Sequence, residues 1–277
     1  MKVFIAIVNY NNSEVTLHCL ESLRRAKINA GMSFELDVTI VDNGSDKNEL
    51  LKLTKGIAQE ELLVSKENLG YMGGLNLALS ERNPTLYDYT ILANNDLLFS
   101  DDFFMILERM SLGSEYGIIC PDIETVDGIH QNPHEACEVS QIRKCMYSIY
   151  FCNYYLGRLM YQIKQLVKKI SGKANRVKRW NEPCDLYLGY GAIYLLRPSF
   201  FKNLHSIKYP CFLMGEEYYF SKAAADVGLK LRFEPSLKVI HLEHASVDKV
   251  PSRKMYEFEK ESYLDYRKFW NSIRFPK

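Results

Sequence analysis

A chain of 277 residues, 47% hydrophobic and 25% charged, carries enough apolar material for one large core, which excludes wholesale disorder. Its net charge of +1 gives no global attraction for nucleic acid, and no run of 18 apolar residues is present to span a bilayer as a helix. Seven cysteines (Cys19, Cys120, Cys137, Cys145, Cys152, Cys184 and Cys211) are odd in number and form no CxxC pair, so reduced thiols and a cytoplasmic location are expected rather than a disulfide framework.

The opening MKVFIAIVNYNN has a short apolar run without a small-residue cleavage site, and reads as a first strand rather than a secretory signal. VFIAIV (3–8) has the continuous apolar character of a strand buried on both faces. Ser13 is placed to cap a helix whose Val15, Leu17, Leu20 and Leu23 recur at helical spacing. ELDVTIV (35–41) predicts a second strand, DNGSD (42–46) a turn, and a helix follows from Lys47. ELLVS (61–65) predicts a third strand, a glycine-bearing loop leads into a helix over 74–82, and YTILAN (89–94) predicts a fourth strand. Alternation of strand and helix is the pattern of an open parallel sheet with right-handed crossovers, whose ligands lie at the carboxyl ends of the strands.

Each of those ends is polar. Asn9-Tyr10-Asn11 follows the first strand, and Asp42-Asn43-Gly44-Ser45-Asp46 the second. Glu67-Asn68-Leu69-Gly70-Tyr71-Met72-Gly73-Gly74 follows the third, and Asn94-Asn95-Asp96 closes the fourth. One such loop is ordinary, but four converging on one sheet edge make a site. No GxGxxG follows the first strand, which argues against a dinucleotide-binding fingerprint, and the Gly-x-Gly-x-x-Arg of sugar nucleotidyltransferases is absent as well.

In order and spacing, VNYNN, VDNGSD, ENLGYMGGLNLAL and NND resemble the nucleotide-sugar half of family-2 glycosyltransferases with the GT-A fold. The resemblance covers residues 3–125 and resumes at 184–246. It implies that Asp42 accepts the imide N–H of a uracil or thymine, with Asn9 and Tyr10 lining the base. The loop bearing Gly70, Gly73 and Gly74 allows close backbone approach to a ligand where a helix begins with unpaired N–H groups, and Asn43 and Asn68 flank it. NND stands where the family often carries Asp-x-Asp and resembles the variant of rhamnosyltransferase-like members, implying dTDP-rhamnose as donor. Asp96 then offers the carboxylate that Mg²⁺ or Mn²⁺ prefers, while Asn94 and Asn95 hydrogen-bond the sugar or diphosphate without adding charge.

In the second half, CDLYLGYGAIYLLR (184–197) is a strand interrupted at Gly189 and Gly191, which suggests close approach by a ligand or a neighbouring chain and resembles the family's acceptor side. YPCFLMGEEYYFSKAAADVG (209–228) places Glu216 and Glu217 in the first turn of a helix, where acidic residues favour the helix dipole whatever else they do. The family's acidic pair stands here and its second member deprotonates the acceptor. Glu217 holds that position one methylene longer than the commoner Asp, and Glu216 is the alternate. One displacement with a carboxylate base implies inversion. After LKLRFEPSLKVI, His241 and Ser246 fit the family's H-x-x-x-x-S pattern, with His241 joining the metal or diphosphate. His130, His134 and Cys137 have spacings a zinc site could use, without a fourth ligand in a CxxC or HxxxH.

CMYSIYFCNYYLG (145–157) is uncharged and aromatic, and eight Lys or Arg with no acidic residue follow between Arg158 and Arg179. Two readings stand: a helical hairpin with a solvated basic face, or a segment lying on an anionic membrane surface where a polyprenyl-linked acceptor is met. YEFEKESYLDYRKFW (256–270) reads as an amphipathic helix packing on the sheet or on a second subunit, as in a homodimer.

The fold class expected is α/β, of GT-A type: a mostly parallel open sheet flanked by helices, with a helical insertion and a C-terminal helix. One domain over 1–277 is expected, divided into a nucleotide-sugar-binding half (1–125), the basic insertion (143–179), an acceptor and catalytic half (184–246) and a C-terminal helix (251–277). The function expected is an inverting, metal-dependent glycosyltransferase, cytoplasmic or peripheral on the inner membrane face. Its acceptor is a glycan or lipid-linked glycan in cell-surface polysaccharide synthesis. The alternative is a nucleotide-sugar or glycan-binding module on the same fold without catalysis.

Overall fold

The computed structural model describes residues 1–31, 33–170, 180–202, 207–242 and 252–276, with backbone only at 60 and 168–170. The first half runs β1 (Lys2–Asn9), α1 (Ser13–Ala30), β2 (Glu35–Asn43), α2 (Lys47–Gly56), β3 (Leu62–Ser65), α3 (Tyr71–Ser80), β4 (Tyr89–Asn94) and β5 (Leu97–Phe99). It continues with α4 (Phe103–Arg109), β6 (Tyr116–Thr125), α5 (Gln141–Tyr150) and α6 (Tyr154–Ile170). The remainder is β7 (Cys184–Leu186), β8 (Ile193–Leu196), α7 (Glu216–Asp226), β9 (Lys230–His241) and α8 (Arg253–Tyr266).

The strands form one mixed sheet in the order β3-β2-β1-β4-β8-β6-β9-β5, with β7 pairing β9. β1 to β4 are mutually parallel, as alternation with helices requires. β8 then runs antiparallel to both β4 and β6, and β5 antiparallel to β9. Those reversals decide the site, because they bring the start of β8 beside the end of β4 and the end of β9 beside the start of β5.

The run 3–8 is apolar throughout because helices cover the sheet on both sides. Val3, Ile5 and Ile7 enter a core with Leu20 and Leu23 of α1 and Phe103 and Phe104 of α4. Phe4, Ala6 and Val8 enter a second core with Met72 and Leu75 of α3 and Phe220 and Ala224 of α7. With period two, successive side chains of one strand feed opposite layers, so neither face tolerates a polar residue.

Two helix starts differ from expectation. Ser13 is the first residue of α1, not its cap: its hydroxyl donates to the Glu49 carbonyl (2.8 Å) and its N–H to the Glu49 carboxylate (2.8 Å), tying α1 to α2. Helix α3 begins at Tyr71, not at 74, because Gly70 takes φ +75° and turns the chain directly into the helix. The interrupted segment 184–197 resolves into β7 and β8, and the insertion into α5 and α6 as far as Ile170; its residues 171–179 lie outside the described residues.

Helix α8 packs within the same chain. Tyr256, Tyr263, Tyr266 and Trp270 join Tyr218 and Tyr219 of α7 and Phe151 beyond α5 in a third, tyrosine-rich core. Tyr218 and Tyr266 stack at 4.0 Å between centroids. Tyrosine suits this layer because the ring buries large area while the hydroxyl still reaches a partner, as Tyr219 does at Asp265 (2.5 Å).

Candidate active site

Strand register places the polar ends together. Asn9 pairs with Asp42 across β1 and β2, and Asn94 lies opposite Val8 across β4 and β1. Asn9 is fully buried and its amide donates to Asp42 Oδ1 (2.9 Å) and Ser45 Oγ (3.2 Å). Its carbonyl oxygen accepts from Thr16 Oγ1 (2.8 Å), which accepts in turn from Asn95 Nδ2 (2.9 Å). One hydrogen-bonded chain thus ties the ends of β1, β2 and β4 to α1, and its members satisfy one another where water is excluded. This explains much of the polarity of NND, because Asn95 is a tie to helix α1. Asp42 is 1% exposed and also accepts from the Ser45 N–H (3.2 Å), so its carboxylate is fixed in position with lone pairs remaining on each oxygen. Tyr10, half exposed, stands at the rim.

The glycine loop differs from an open anion cradle. The N–H of Leu69 donates to Asn43 Oδ1 (2.9 Å), that of Gly70 to Asn68 Oδ1 (2.9 Å) and that of Tyr71 to the Phe212 carbonyl (3.3 Å). Asn43 Nδ2 closes the set by donating to Asn68 Oδ1 (3.1 Å) and the Gly70 carbonyl (2.9 Å). Asn43 and Asn68 therefore shape the loop, and three of the N–H groups expected to be unpaired are taken by the protein. A Cβ on Gly70 would run into the Phe212 carbonyl, on Gly73 into Leu69 (2.7 Å) and on Gly74 into Val8 (2.9 Å), so the close approach at each is made by the chain itself.

The far side is built by the antiparallel half. The Asn94 N–H donates to the Ala192 carbonyl (2.8 Å), which sets Gly191 at the end of β4. A Cβ on Gly191 would overlap the Glu216 carboxyl and meet Glu217 Oε1 at 3.1 Å, and one on Gly189 would overlap Cys120 Sγ. The glycines make room for side chains of the same chain. Glu216 and Glu217 open α7 after two left-handed residues, Met214 (φ +72°) and Gly215 (φ +82°). α8 braces that turn: Ser262 Oγ donates to the Leu213 carbonyl (3.1 Å) and bonds that of Met214, which also accepts from the Tyr209 hydroxyl (2.5 Å). Such a backbone, costly for Met214, is held by its surroundings and points the two glutamates at Gly191.

Burial pushes the Glu216 carboxyl well above the usual range, and the neighbouring Glu217 charge adds to it. Burial raises Glu217 too, but the backbone N–H groups of Glu217 itself and Gly191 oppose the rise. Both carboxyls are thus raised, and two like charges side by side hinder ionisation of the pair as a whole. Tyr71, the first residue of α3, feels this pair and Asp96 alike. Burial raises its hydroxyl well above the phenol range, and Glu216, Asp96 and Glu217 each add to the rise.

On that other side His241 Nε2 lies 3.2 Å from Asp96 Oδ1, and the backbone of Leu242 bonds the Asp96 carbonyl (2.9 Å). Gln131 Oε1 lies 2.8 Å from His241 Nδ1, and Gln131 Nε2 donates to the Tyr190 hydroxyl (3.1 Å). With the amide so oriented, Nδ1 donates to Gln131, and Nε2 is the ring nitrogen that faces Asp96. Asp96 Oδ1 is buried and has no hydrogen-bond partner. An imidazole nitrogen and an orphaned carboxylate oxygen 3.2 Å apart in a buried site fit the donor set of a divalent cation. No cluster of three or more His, Cys, Asp or Glu able to hold a metal occurs among the described residues, so other oxygen donors would have to complete such a shell. Zinc at His130, His134 and Cys137 does not form: His130 Nδ1 bonds Asp122 (2.7 Å) and its ring stacks on Trp180 at 4.1 Å. Ser246 lies outside the described residues.

Sequence reasoning missed Gln131, Tyr190 and the placement of Tyr71. The first two sit on loops far in sequence from their partner His241, with no motif to join them. Tyr71 was visible inside ENLGYMGG only as a neighbour of glycines.

The sequence profile of glycosyl transferase family 2 matches residues 4–151. No curated protein matches the chain. Among solved structures, it is similar to GalNAc-T7 crystallised with UDP, GalNAc and Mn²⁺ (TM-score 0.57, 14% identity, over 98% of this chain and 49% of that one). It is also similar to the mannosyltransferase PcManGT from Pyrobaculum calidifontis in complex with GDP-Man and Mn²⁺ (TM-score 0.54, 12% identity, over 100% and 65%). A third is S. aureus TarS 1–349 (TM-score 0.52, 15% identity, over 87% and 60%). At such identities the likeness is one of fold, an α/β mixed sheet of GT-A type, and the chain spans between about half and just under two thirds of each of these proteins.

Proposed function

The chain belongs to glycosyl transferase family 2, and from that premise we propose that it is an inverting glycosyltransferase using a nucleoside-diphosphate sugar. The observation that carries the reading is that Asp96–His241 and Glu216–Glu217 stand at one sheet edge, the first just beyond β4 and the second against Gly191, whose neighbour Ala192 accepts from the Asn94 N–H. A module that only bound a sugar nucleotide would have no use for two adjacent, partly buried carboxyls of raised proton affinity at this edge.

In this reading residues 1–125 are the donor half, with Asp42 accepting from the base, Asn9 holding Asp42, and Tyr10 lining the base from the rim. Asn43, Asn68, Gly70 and Gly73 shape the adjoining loop, Asn94 faces the sugar or diphosphate, and Asn95 holds the edge through Thr16. Residues 184–246 are the acceptor half, in which Gly189 and Gly191 admit the side chains that form the site. Asp96 and His241 would hold Mg²⁺ or Mn²⁺, which when bound supplies neutralisation of the leaving diphosphate. Glu217 takes the proton of the acceptor hydroxyl while that oxygen attacks the anomeric carbon opposite the diphosphate. The carbon–diphosphate bond breaks as the new glycosidic bond forms, and the configuration inverts. Glu216, whose raised proton affinity favours the neutral acid, would then lower the charge beside the base and donate a hydrogen bond to it or to the sugar.

The finer identity follows the motif resemblance: dTDP-rhamnose as first donor to test, with a glycan or polyprenyl-linked glycan as acceptor in polysaccharide synthesis on the cytoplasmic side. The test is a panel of UDP-, GDP- and dTDP-sugars screened for Mn²⁺-dependent thermal stabilisation, followed by product analysis with the stabilising donor. Stabilisation by one nucleotide class and turnover with inversion is expected. Stabilisation without turnover on any glycan acceptor would instead favour the non-catalytic module, and no stabilisation by any donor would overturn the reading.

A further inference from the structure

Helices α5 and α6 present an apolar face that no other part of the described structure covers. On α5, Ile142 (76% exposed), Met146 and Ile149 follow helical spacing on the outer side. On α6, Leu159, Ile163 and Leu166 (58% exposed) do the same. Both helices are nevertheless anchored. Lys144 is buried, bonding Glu138 (2.8 Å) and Asn271 (2.6 Å) under the Trp270 ring, and Phe151 stacks on Tyr263 at 4.6 Å. Tyr154 meets Tyr256 edge-on at 5.3 Å, and Gly157 sits so close that a Cβ would touch Tyr256 at 3.0 Å. The apolar residues therefore face outward because the opposite sides of their helices are already committed to the tyrosine-rich core. A groove of about 1420 Å³, lined by Ile142, Met146 and Lys164 together with the loop 133–137 and Glu259 of α8, adjoins this surface.

The charge of this element is one-sided. From Gln141 to Ile170 the sequence carries Arg143, Lys144, Arg158, Lys164, Lys168 and Lys169 and no acidic residue. Arg143 and Lys144 are paired with Glu135 and Glu138, whereas Arg158 and Lys164 are exposed and appear in no ion pair among the described residues. No helix is long and apolar enough to cross a membrane. An apolar stripe flanked by cations, on a helix too polar to insert, is matched by an interface that is apolar beneath and anionic at its surface. A second copy of this chain fits poorly, because a two-fold contact sets a patch against itself and would face Arg158 and Lys164 with their own kind.

We propose that the α5–α6 face docks the protein in plane on an anionic phospholipid bilayer, with Leu159, Ile163, Leu166 and the α5 stripe entering the headgroup boundary and Arg158 and Lys164 meeting lipid phosphates. The assignment goes beyond the transfer reaction and does not depend on it.

The test is co-sedimentation of the full chain with vesicles of phosphatidylcholine alone and of phosphatidylcholine with phosphatidylglycerol, at low and high salt. Binding to the anionic vesicles that weakens with salt is expected, with little on the neutral ones. The pair Arg158→Gln/Lys164→Gln should lower the partition coefficient by about 30-fold. The triple variant Leu159→Ser/Ile163→Ser/Leu166→Ser should lower it by tenfold or more while circular dichroism stays that of the parent. Absence of parent binding to anionic vesicles would overturn the proposal, as would variants that partition like the parent. If the parent is instead a dimer that the triple serine variant dissolves, and vesicles are ignored, the face is a contact between copies and the proposal fails. An acidic protein as true partner would likewise show as no vesicle binding. Donor stabilisation measured in parallel keeps the two readings apart: vesicle binding without any donor would sink the glycosyltransferase reading alone.

Discussion

Replacing Glu216 by glutamine should make the protein more stable in alkaline solution while leaving it unchanged in acid. The Glu216 carboxyl, ordinarily near 4.5, is raised well above that value in the fold by burial and by the Glu217 charge. The folded state therefore binds more protons than the unfolded chain over that interval, so stability falls as pH rises above about 4.5, until the folded group too has ionised. Each unit by which the folded value exceeds the unfolded one costs about 1.4 kcal/mol once the pH is above both. For a chain of this length that corresponds to about 2 °C in Tm for every unit. Glutamine keeps the shape and hydrogen bonding of the protonated acid and removes the term. Differential scanning calorimetry without donor or metal should give the variant a higher Tm than the parent at pH 8, and no difference in acid below the ordinary carboxylate range. Equal gaps at the two pH values, or a variant less stable at pH 8, would refute the argument that Glu216 is buried against a like charge.

Four further outcomes follow from the same site. Glu217→Gln should leave donor-induced stabilisation intact and lower kcat by about 10²–10⁴, more than Glu216→Gln does; the reverse order in steady-state kinetics would exchange their roles. Asp96→Asn should abolish Mn²⁺-dependent donor stabilisation, and Gln131→Leu should weaken Mn²⁺ binding by about 10–100-fold in an electron paramagnetic resonance titration, because His241 loses the partner that fixes its tautomer. Gly70→Ala, at φ +75° with the Phe212 carbonyl where its Cβ would stand, should cost about 2–4 kcal/mol in urea unfolding; a neutral result would show that the loop yields.

By itself the sequence determined the parallel half. The uninterrupted apolar run of β1 required helices on both faces, and alternation with helices required parallel strands, whose ends must then share an edge. That was enough to bring Asp42, Asn9 and the NND turn into one region, since register follows from short crossovers between neighbouring strands. Only the tertiary structure decided what each polar residue does there. Asn43 and Asn68 take the N–H groups that a glycine-rich helix start seemed to offer a ligand, because the loop folds back on their amides. Gly70 and Gly191 yield their space to Phe212 and Glu216, partners that lie 142 and 25 positions away and leave no trace in local spacing. The encounter of Asp96 with His241 depends on β9 returning antiparallel beside β5, and the aim of Glu216 and Glu217 on a left-handed turn braced by α8. Such contacts are set by where distant segments meet once their apolar faces are buried, which periodicity along the chain does not encode.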